Sequence, residues 1–196
     1  MQKDTKSEAL RKLIMLLKHS SHKVVSDAVI ELKSILTTNS ASYRAIVVFC
    51  VKIIKKLTNE DARSSVIWLV SKYSSSFPTI SKELVRKLSA NFLEEGLSTK
   101  HLLLILGFEV WLDEAIRDKI DPHFAKILEV LLKICSFDKE PTLRQQSAFY
   151  KAIFNQSPIN KSLCESILQN TKGFESTKDH IERCYLLHSY SFIVNK

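Results

Sequence analysis

Apolar residues recur along most of this chain every three or four positions, which is the spacing of one buried face of an α-helix. Polar runs interrupt the pattern, and Asp121 followed by Pro122 supplies the N-cap and first-turn residues that begin a helix. The pattern predicts ten helices, at about residues 7–18, 24–36, 43–57, 60–74, 81–92, 98–112, 122–135, 141–154, a short one from 160, and 178–194.

One predicted helix, the stretch from Ala62 to Tyr73, is apolar on nearly every side. Asn59 precedes it as a plausible N-cap, and acidic residues in its first turn suit the helix dipole. A helix that is apolar all round needs neighbours on several sides. The stretch therefore predicts stacked helices, with Trp68 as a packing residue.

Pairing the predicted helices produces a repeat. The second helices of the pairs centre at about residues 30, 67, 105 and 148, so the spacing is about 37 to 43 residues, close to that of HEAT and armadillo units. The prediction is an all-α, HEAT/armadillo-like α-solenoid of about ten helices in about five pairs. Residues 1–196 are expected to form a single segment of it, with a mobile loop at 171–177.

Composition supports long helices joined by short connections, because the chain has only three glycines and four prolines. No apolar run is long enough to span a membrane, and the first ten residues lack the apolar core of a signal peptide. The four cysteines are far apart and show no CxxC pairing. They are interpreted as buried, reduced thiols of a cytosolic protein.

The net charge of +8 comes entirely from the first half, where residues 1–100 hold 17 Lys and Arg against 9 Asp and Glu. Lys52, Lys55 and Lys56 form the closest basic cluster. They are the candidate contact with an anionic membrane or another acidic partner. The alternative is an ordinary solvated helix face whose lysine stems cover the core. No nucleic acid is expected, because isoleucines separate these lysines where exposed aromatic residues would be needed.

Other candidate chemistry is sparse, and the sequence predicts a protein that is not an enzyme and has no metal or cofactor. His180, Cys184 and His188 share one face of the last predicted helix, but no second cluster completes a metal shell. No nucleotide-binding or hydrolase motif occurs. Adjacent acidic residues are interpreted as caps and solvated turns, at Glu60/Asp61, Glu94/Glu95 and Asp113/Glu114.

Four segments together resemble the β-adaptins, the large β subunits of heterotetrameric vesicle-coat adaptors, and most of all the β subunit of the third adaptor complex. They occur in family order, and residues 71–72 and 145–146 depart from the family pattern. The segments are HSSHKVVSDAVIELKSIL, ARSSVIWLVSKY (family type ARASIIWLIGEY), FPTISKELVRKLSANF and SFDKEPTLRQQSAF.

The resemblance implies a non-catalytic scaffold from the C-terminal part of a longer solenoid trunk. It also implies partners, namely the medium, small and second large adaptor subunits. Such a complex is peripheral on Golgi and endosomal membranes and sorts cargo toward the lysosome or vacuole. A HEAT-repeat scaffold of another class, binding an acidic protein or nucleic acid, remains the alternative.

Overall fold

The structure, a computed structural model, describes residues 2–36, 44–156 and 158–171. Every regular element in these ranges is a helix. Two 3₁₀ turns, Ile54–Lys56 and Phe92–Glu94, supplement the α-helices. The α-helices are α1 Gln2–Leu16, α2 His22–Leu36, α3 Arg44–Ile53, α4 Glu60–Lys72, α5 Pro78–Ser89, α6 Leu97–Ile116, α7 Pro122–Cys135, α8 Pro141–Phe154 and α9 Lys161–Thr171.

The all-α prediction is confirmed, and the first nine predicted helices are present with shifted ends. Helix α1 begins at Gln2, and α5 begins at Pro78, a residue whose fixed φ suits the first helical position. The expected linker after Leu112 is wrong at its start, because α6 continues to Ile116. Thr171, the first residue of the loop predicted at 171–177, ends α9. Residues 172–177 and the tenth predicted helix lie outside the described residues, so the single-segment prediction stays a prediction.

Helices α4 and α6 form the middle of the stack. Helix α4 packs against α2, α3, α5 and α6, while α6 packs against α4, α5, α7, α8 and α9. Every α6 residue from His101 to Leu112 is buried, and Trp68 of α4 is only 3% exposed. At Gly107 an added Cβ would lie 3.3 Å from Leu128 Cδ1, so the missing side chain lets α7 approach closely. These two helices, which are buried on most sides, thus have the several neighbours that their sequences require.

The connections after α1, α3, α5 and α7, with the helix starts beside them, lie at one edge of the stack, here called the first edge. Side chains tie neighbouring pairs together along it, and their partners are 32 to 38 residues apart. The bonds run from His22 Nδ1 to the Lys56 carbonyl (2.7 Å), Arg63 Nε to Glu95 Oε2 (2.8 Å), the Ser98 amide to Glu60 Oε1 (2.8 Å) and Lys100 Nζ to Asp138 Oδ2 (2.9 Å).

The connections after α4, α6 and α8 form the second edge, which is tied in the same way. The partners there are 37 to 43 residues apart. This separation matches the repeat spacing predicted from the sequence and confirms the HEAT/armadillo-like solenoid. The bonds run from Tyr73 Oη to the Leu36 carbonyl (3.1 Å), Lys82 Nζ to Asp121 Oδ2 (2.9 Å) and Lys161 Nζ to Asp118 Oδ2.

Asp121 begins α7 and also joins it to the preceding pair. Its Oδ1 accepts hydrogen bonds from the amides of His123 (3.0 Å) and Phe124 (3.3 Å), as an N-cap does. The hydrogen bond from Lys82 is the largest cause that holds the pKa of Asp121 below its ordinary value. The carboxylate therefore stabilises the fold through a helix cap and an ion pair at once.

We expect Asp121→Ala to lower the free energy of unfolding by about 1–2 kcal/mol at neutral pH, because α7 loses its cap. Urea denaturation followed by tryptophan fluorescence measures the change. Since the native pKa is depressed, the ionic contribution is complete above the unfolded pKa of about 3.9 and is lost as pH falls through the native pKa. The gap between the two proteins should shrink in acid.

Asp121→Asn is the matched control, because asparagine caps a helix about as well as aspartate. It should lose less stability than Asp121→Ala at neutral pH. A gap between the native chain and Asp121→Ala that stays constant in acid would contradict the role given to the charge.

Candidate contact surface

The three lysines predicted as a contact cluster lie at the first edge. Lys52 is in the last turn of α3, and Lys55 and Lys56 are in the 3₁₀ turn that follows it. All three are exposed, and none forms an ion pair with any residue that the structure describes. Ile53 and Ile54 between them are buried. The turn therefore presents a compact positive surface that rests on the core.

A cavity of about 530 Å³ opens beside this turn, between the α1–α2 connection and α3. We call it the Lys56 cavity, because Lys56 is the one member of the lysine cluster that lines it. The floor is apolar and consists of Leu17, Val25, Phe49 and Ile53. The rim is polar and consists of Lys18, His19, Ser20, His22 and Lys56.

The two histidines of the rim have assignable ring protons. His22 Nδ1 lies 2.7 Å from the Lys56 carbonyl oxygen, which can only accept, so Nδ1 must donate. His19 Nδ1 accepts a hydrogen bond from the Ser21 amide (3.1 Å). The Nε2 of His19 therefore carries the ring proton and can donate to a ligand. His22, in contrast, fixes the backbone of the turn that carries Lys56.

The surroundings of the cavity are positive because acidic residues are missing from the segments that form it. No Asp or Glu occurs in residues 9–26 or in residues 32–59. The same segments contain nine Lys and Arg, four in the first and five in the second. Lys18 and Lys56, the two lysines at the rim, form no ion pair with any described residue, so an anionic group at the rim would meet positive charge.

The other candidate groups have structural roles where the structure describes them. Glu60 accepts a hydrogen bond from the Ser98 amide at the start of α6, and Glu95 pairs with Arg63. The interpretation of Asp113 and Glu114 as a cap or turn is wrong, because both lie inside α6, where they pair with Arg117 and Lys82. Within the described ranges no three His, Cys, Asp or Glu side chains cluster as metal ligands. Cys184 and the other two residues of the metal candidate, His180 and His188, lie outside these ranges.

The three cysteines in the described part of the chain are buried thiols, as expected. Burial raises the pKa of Cys50 and of Cys135 to about 12. These two thiols therefore stay protonated near neutral pH and are poor nucleophiles. Among the described helices, none combines the length and the apolar character that crossing a membrane requires.

Sequence reasoning identified the lysine cluster but not the cavity. His19 and His22 stand between the first two predicted helices, and nothing in the local pattern pairs His22 with Lys56. The separation of 34 residues between His22 and Lys56, near one repeat, is the signal that could have paired them. Two exposed apolar side chains at the same edge, Leu93 (71% exposed) and Phe137 (82%), also escaped the helical pattern, because both lie in connections.

Comparison with known proteins finds a matching family model and several similar proteins. The family model described as Adaptin N terminal region matches residues 2–158. AP-3 complex subunit beta-1 of Homo sapiens is 24% identical over 144 residues, which cover 74% of this chain and 13% of that protein. AP-3 complex subunit beta of Dictyostelium discoideum is 23% identical over 180 residues, with 81% and 16% covered.

AP-3 complex subunit beta-2 of Mus musculus is also similar, at 22% identity over 144 residues, which cover 74% of this chain and 13% of that protein. These matches confirm the resemblance that the four sequence segments indicated. This chain spans only 13% to 16% of the lengths of these three relatives.

Proposed function

Because this chain belongs to the family of adaptin N-terminal regions, we propose that it is a non-catalytic scaffold segment of a vesicle-coat adaptor complex. The observation that carries the proposal is the family match over residues 2–158, which covers α1 to α8. In this role the complex sorts cargo from the Golgi and endosomes toward the lysosome or vacuole. The chain is then cytoplasmic and peripheral on those membranes, and it represents the C-terminal part of a trunk.

The way the repeats are joined supports a scaffold role. A solenoid acts through an extended surface, and that surface keeps its shape only if neighbouring repeats hold a fixed relative position. Here the pairs share a continuous core, and side chains join them at both edges. Function then rests on surface complementarity to partners, which we propose to be the medium, small and second large adaptor subunits.

The lysine cluster is the part of the surface that we assign to an acidic partner. Lys52, in the last turn of α3, and Lys55 and Lys56, in the 3₁₀ turn after it, are exposed at the first edge. A positive surface of this kind fits an anionic membrane or an acidic face of a neighbouring subunit. The proposal includes both the membrane and the neighbouring subunit, because both present negative charge to the lysines.

Purification of the endogenously tagged protein tests the scaffold proposal. We expect the medium, small and second large adaptor subunits to co-purify with it in comparable amounts. Lysine cross-linking of the same preparation, read by mass spectrometry, reports whether Lys52, Lys55 and Lys56 face another subunit. Protein that is folded and abundant but recovers none of the three subunits would overturn the proposal. An unrelated solenoid with the same tag is the control.

The second candidate is a HEAT-repeat scaffold of another class that binds an acidic protein or nucleic acid. The acid-free segments 9–26 and 32–59 favour it. Binding to nucleic acid through phosphate contacts falls steeply with salt. Salt-sensitive binding of a duplex at near-physiological ionic strength, without recovery of adaptor subunits, would support this candidate over the first.

A further inference from the structure

We propose that the Lys56 cavity binds an acidic peptide segment of a partner protein by enclosing one apolar side chain of that segment. The cavity offers an apolar floor and a cationic rim in one place, and a ligand that satisfies both must be amphipathic. The proposal rests on the proposed function in one respect, because Lys56 also belongs to the lysine cluster. Its chemistry is independent of adaptor assembly and is tested separately.

The floor is suited to an aliphatic or aromatic side chain. Its volume of about 530 Å³ falls within the range of pockets that enclose small ligands. Leu17 and Val25 come from the first helical pair, and Phe49 and Ile53 come from α3 of the second. The pocket is therefore built between two repeats that the His22–Lys56 hydrogen bond holds in register. A preformed pocket of this kind spares the ligand the free energy of assembling it.

The rim is suited to carboxylates. Lys18 and Lys56 line it, and neither forms an ion pair within the part of the chain that the structure describes. His19 adds an N–H donor at Nε2, because its Nδ1 is engaged by Ser21. Among the described residues, no acidic side chain lines the cavity. The apolar floor lowers the local dielectric constant, so attraction to an acidic ligand at the rim is stronger than on an open surface.

Other anionic occupants fit these observations less well. A phosphorylated lipid headgroup is strongly hydrated and gains nothing from four apolar floor residues. Single-stranded nucleic acid needs aromatic rings that are free to stack with bases, and Phe49 is half-buried in the floor. A peptide with an apolar residue between acidic ones uses the floor and the rim together.

Fluorescence anisotropy with the full chain tests the proposal. The probe is a fluorescein-labelled peptide with a central leucine between two runs of aspartate. Replacing Lys18 and Lys56 together by alanine should weaken binding about tenfold, since each lysine is expected to contribute about threefold. The Lys56 carbonyl remains, so the bond from His22 survives. A second probe with serine in place of the leucine should also bind about tenfold more weakly.

The matched control is the double replacement of Lys133 and Lys151 by alanine. It removes the same charge from exposed positions that belong neither to the lysine cluster nor to the cavity lining. We expect less than about a twofold change in peptide affinity. All four lysines are exposed, so the urea denaturation midpoints of both variants should be unchanged. Unchanged midpoints would exclude unfolding as the cause of a loss of peptide affinity.

Four results would overturn the proposal. The first is an absence of peptide binding, and the second is an equal loss in both double variants, which would indicate diffuse electrostatic attraction. The third is indifference to the leucine-to-serine change. The fourth is Lys18- and Lys56-dependent binding of phosphatidylinositol-phosphate vesicles or inositol hexakisphosphate in place of the peptide. Recovery of the adaptor subunits without peptide binding overturns this inference alone and leaves the scaffold proposal standing.

Discussion

Replacing Phe108 by alanine should lower the free energy of unfolding by about 3–5 kcal/mol, a large fraction of the stability of an ordinary domain. Phe108 lies in the middle of α6 and is 1% exposed. Its ring stacks on Tyr150 of α8, with centroids 4.0 Å apart, and lies 5.7 Å from the ring of Trp111. Truncation removes this contact area and leaves a cavity that rigid neighbouring helices cannot fill.

Urea denaturation of the variant, followed by circular dichroism and tryptophan fluorescence, measures the change. Phe137→Ala is the matched control, because the same atoms are removed from a side chain that is 82% exposed. We expect its unfolding free energy to change by no more than about 0.5 kcal/mol. Similar losses in the two variants would contradict the role of Phe108 in joining α6 to α8.

Next to the contact between Phe108 and Tyr150 lies a buried row of hydrogen-bonded polar side chains, which the sequence pattern did not predict. His101 Nδ1 lies 2.6 Å from Gln146 Oε1, and Gln146 Nε2 donates to Tyr150 Oη at 3.2 Å. Burial is the largest cause that lowers the pKa of His101, so the ring stays neutral near neutral pH. His101 and Gln146 are 45 residues apart. Helical periodicity cannot indicate such a pair, because it reports which face is buried but not what covers it.

The helices themselves could be predicted because their signal is local. Pro122 and Pro141 fix helix starts through their own backbone geometry, and the structure begins α7 and α8 at those residues. The predicted end of α6 near Leu112 is too early, because the polar residues Asp113 and Glu114 resemble a connection between helices. They lie on the less buried face of the helix, while Ala115 on the opposite face is 2% exposed. Polar residues alone do not distinguish a solvated helix face from a connection.

One part of the contact surface follows from local sequence pattern, and another part does not. The exposure of Lys52, Lys55 and Lys56 followed from the buried isoleucines between them, which is a local pattern. The Lys56 cavity did not follow, because its two walls come from segments about one repeat apart. Its shape depends on how the first two pairs pack, and packing is tertiary information. A single sequence therefore identified the charge of this surface but not its concavity.

Arg63→Ala is expected to be the other severe change, with a loss of about 3–5 kcal/mol in the free energy of unfolding. Arg63 forms a bidentate pair with the carboxylate of Glu95 through Nε (2.8 Å) and Nη2. Its Nη1 donates to the carbonyls of Ile54 (3.0 Å), which begins the 3₁₀ turn, and Leu57 (3.1 Å), which follows it. The side chains of Arg63 and Glu95 are only 17% and 7% exposed.

Removal of the guanidinium leaves a nearly buried carboxylate without its cation and the Leu57 carbonyl without this donor, while the Ile54 carbonyl keeps the Leu57 amide (3.2 Å). The free energy lost then exceeds the net worth of an ion pair, because the orphaned charge keeps its desolvation penalty. Arg63→Lys should restore only part of the stability, since an ammonium cannot form the bidentate pair and reach both carbonyls. Urea denaturation of both variants measures this difference.

Arg86→Ala is the control that separates this effect from ordinary surface charge. Arg86 also bonds a glutamate through Nε, since Glu83 Oε2 lies 2.8 Å away, but their side chains are 61% and 39% exposed. Water replaces that partner at little cost, so the denaturation midpoint should hardly move. If Arg63→Ala were as mild as Arg86→Ala, the repeats would not depend on this bond for their register. The rigidity on which we base the scaffold proposal would then have to come from the apolar core alone.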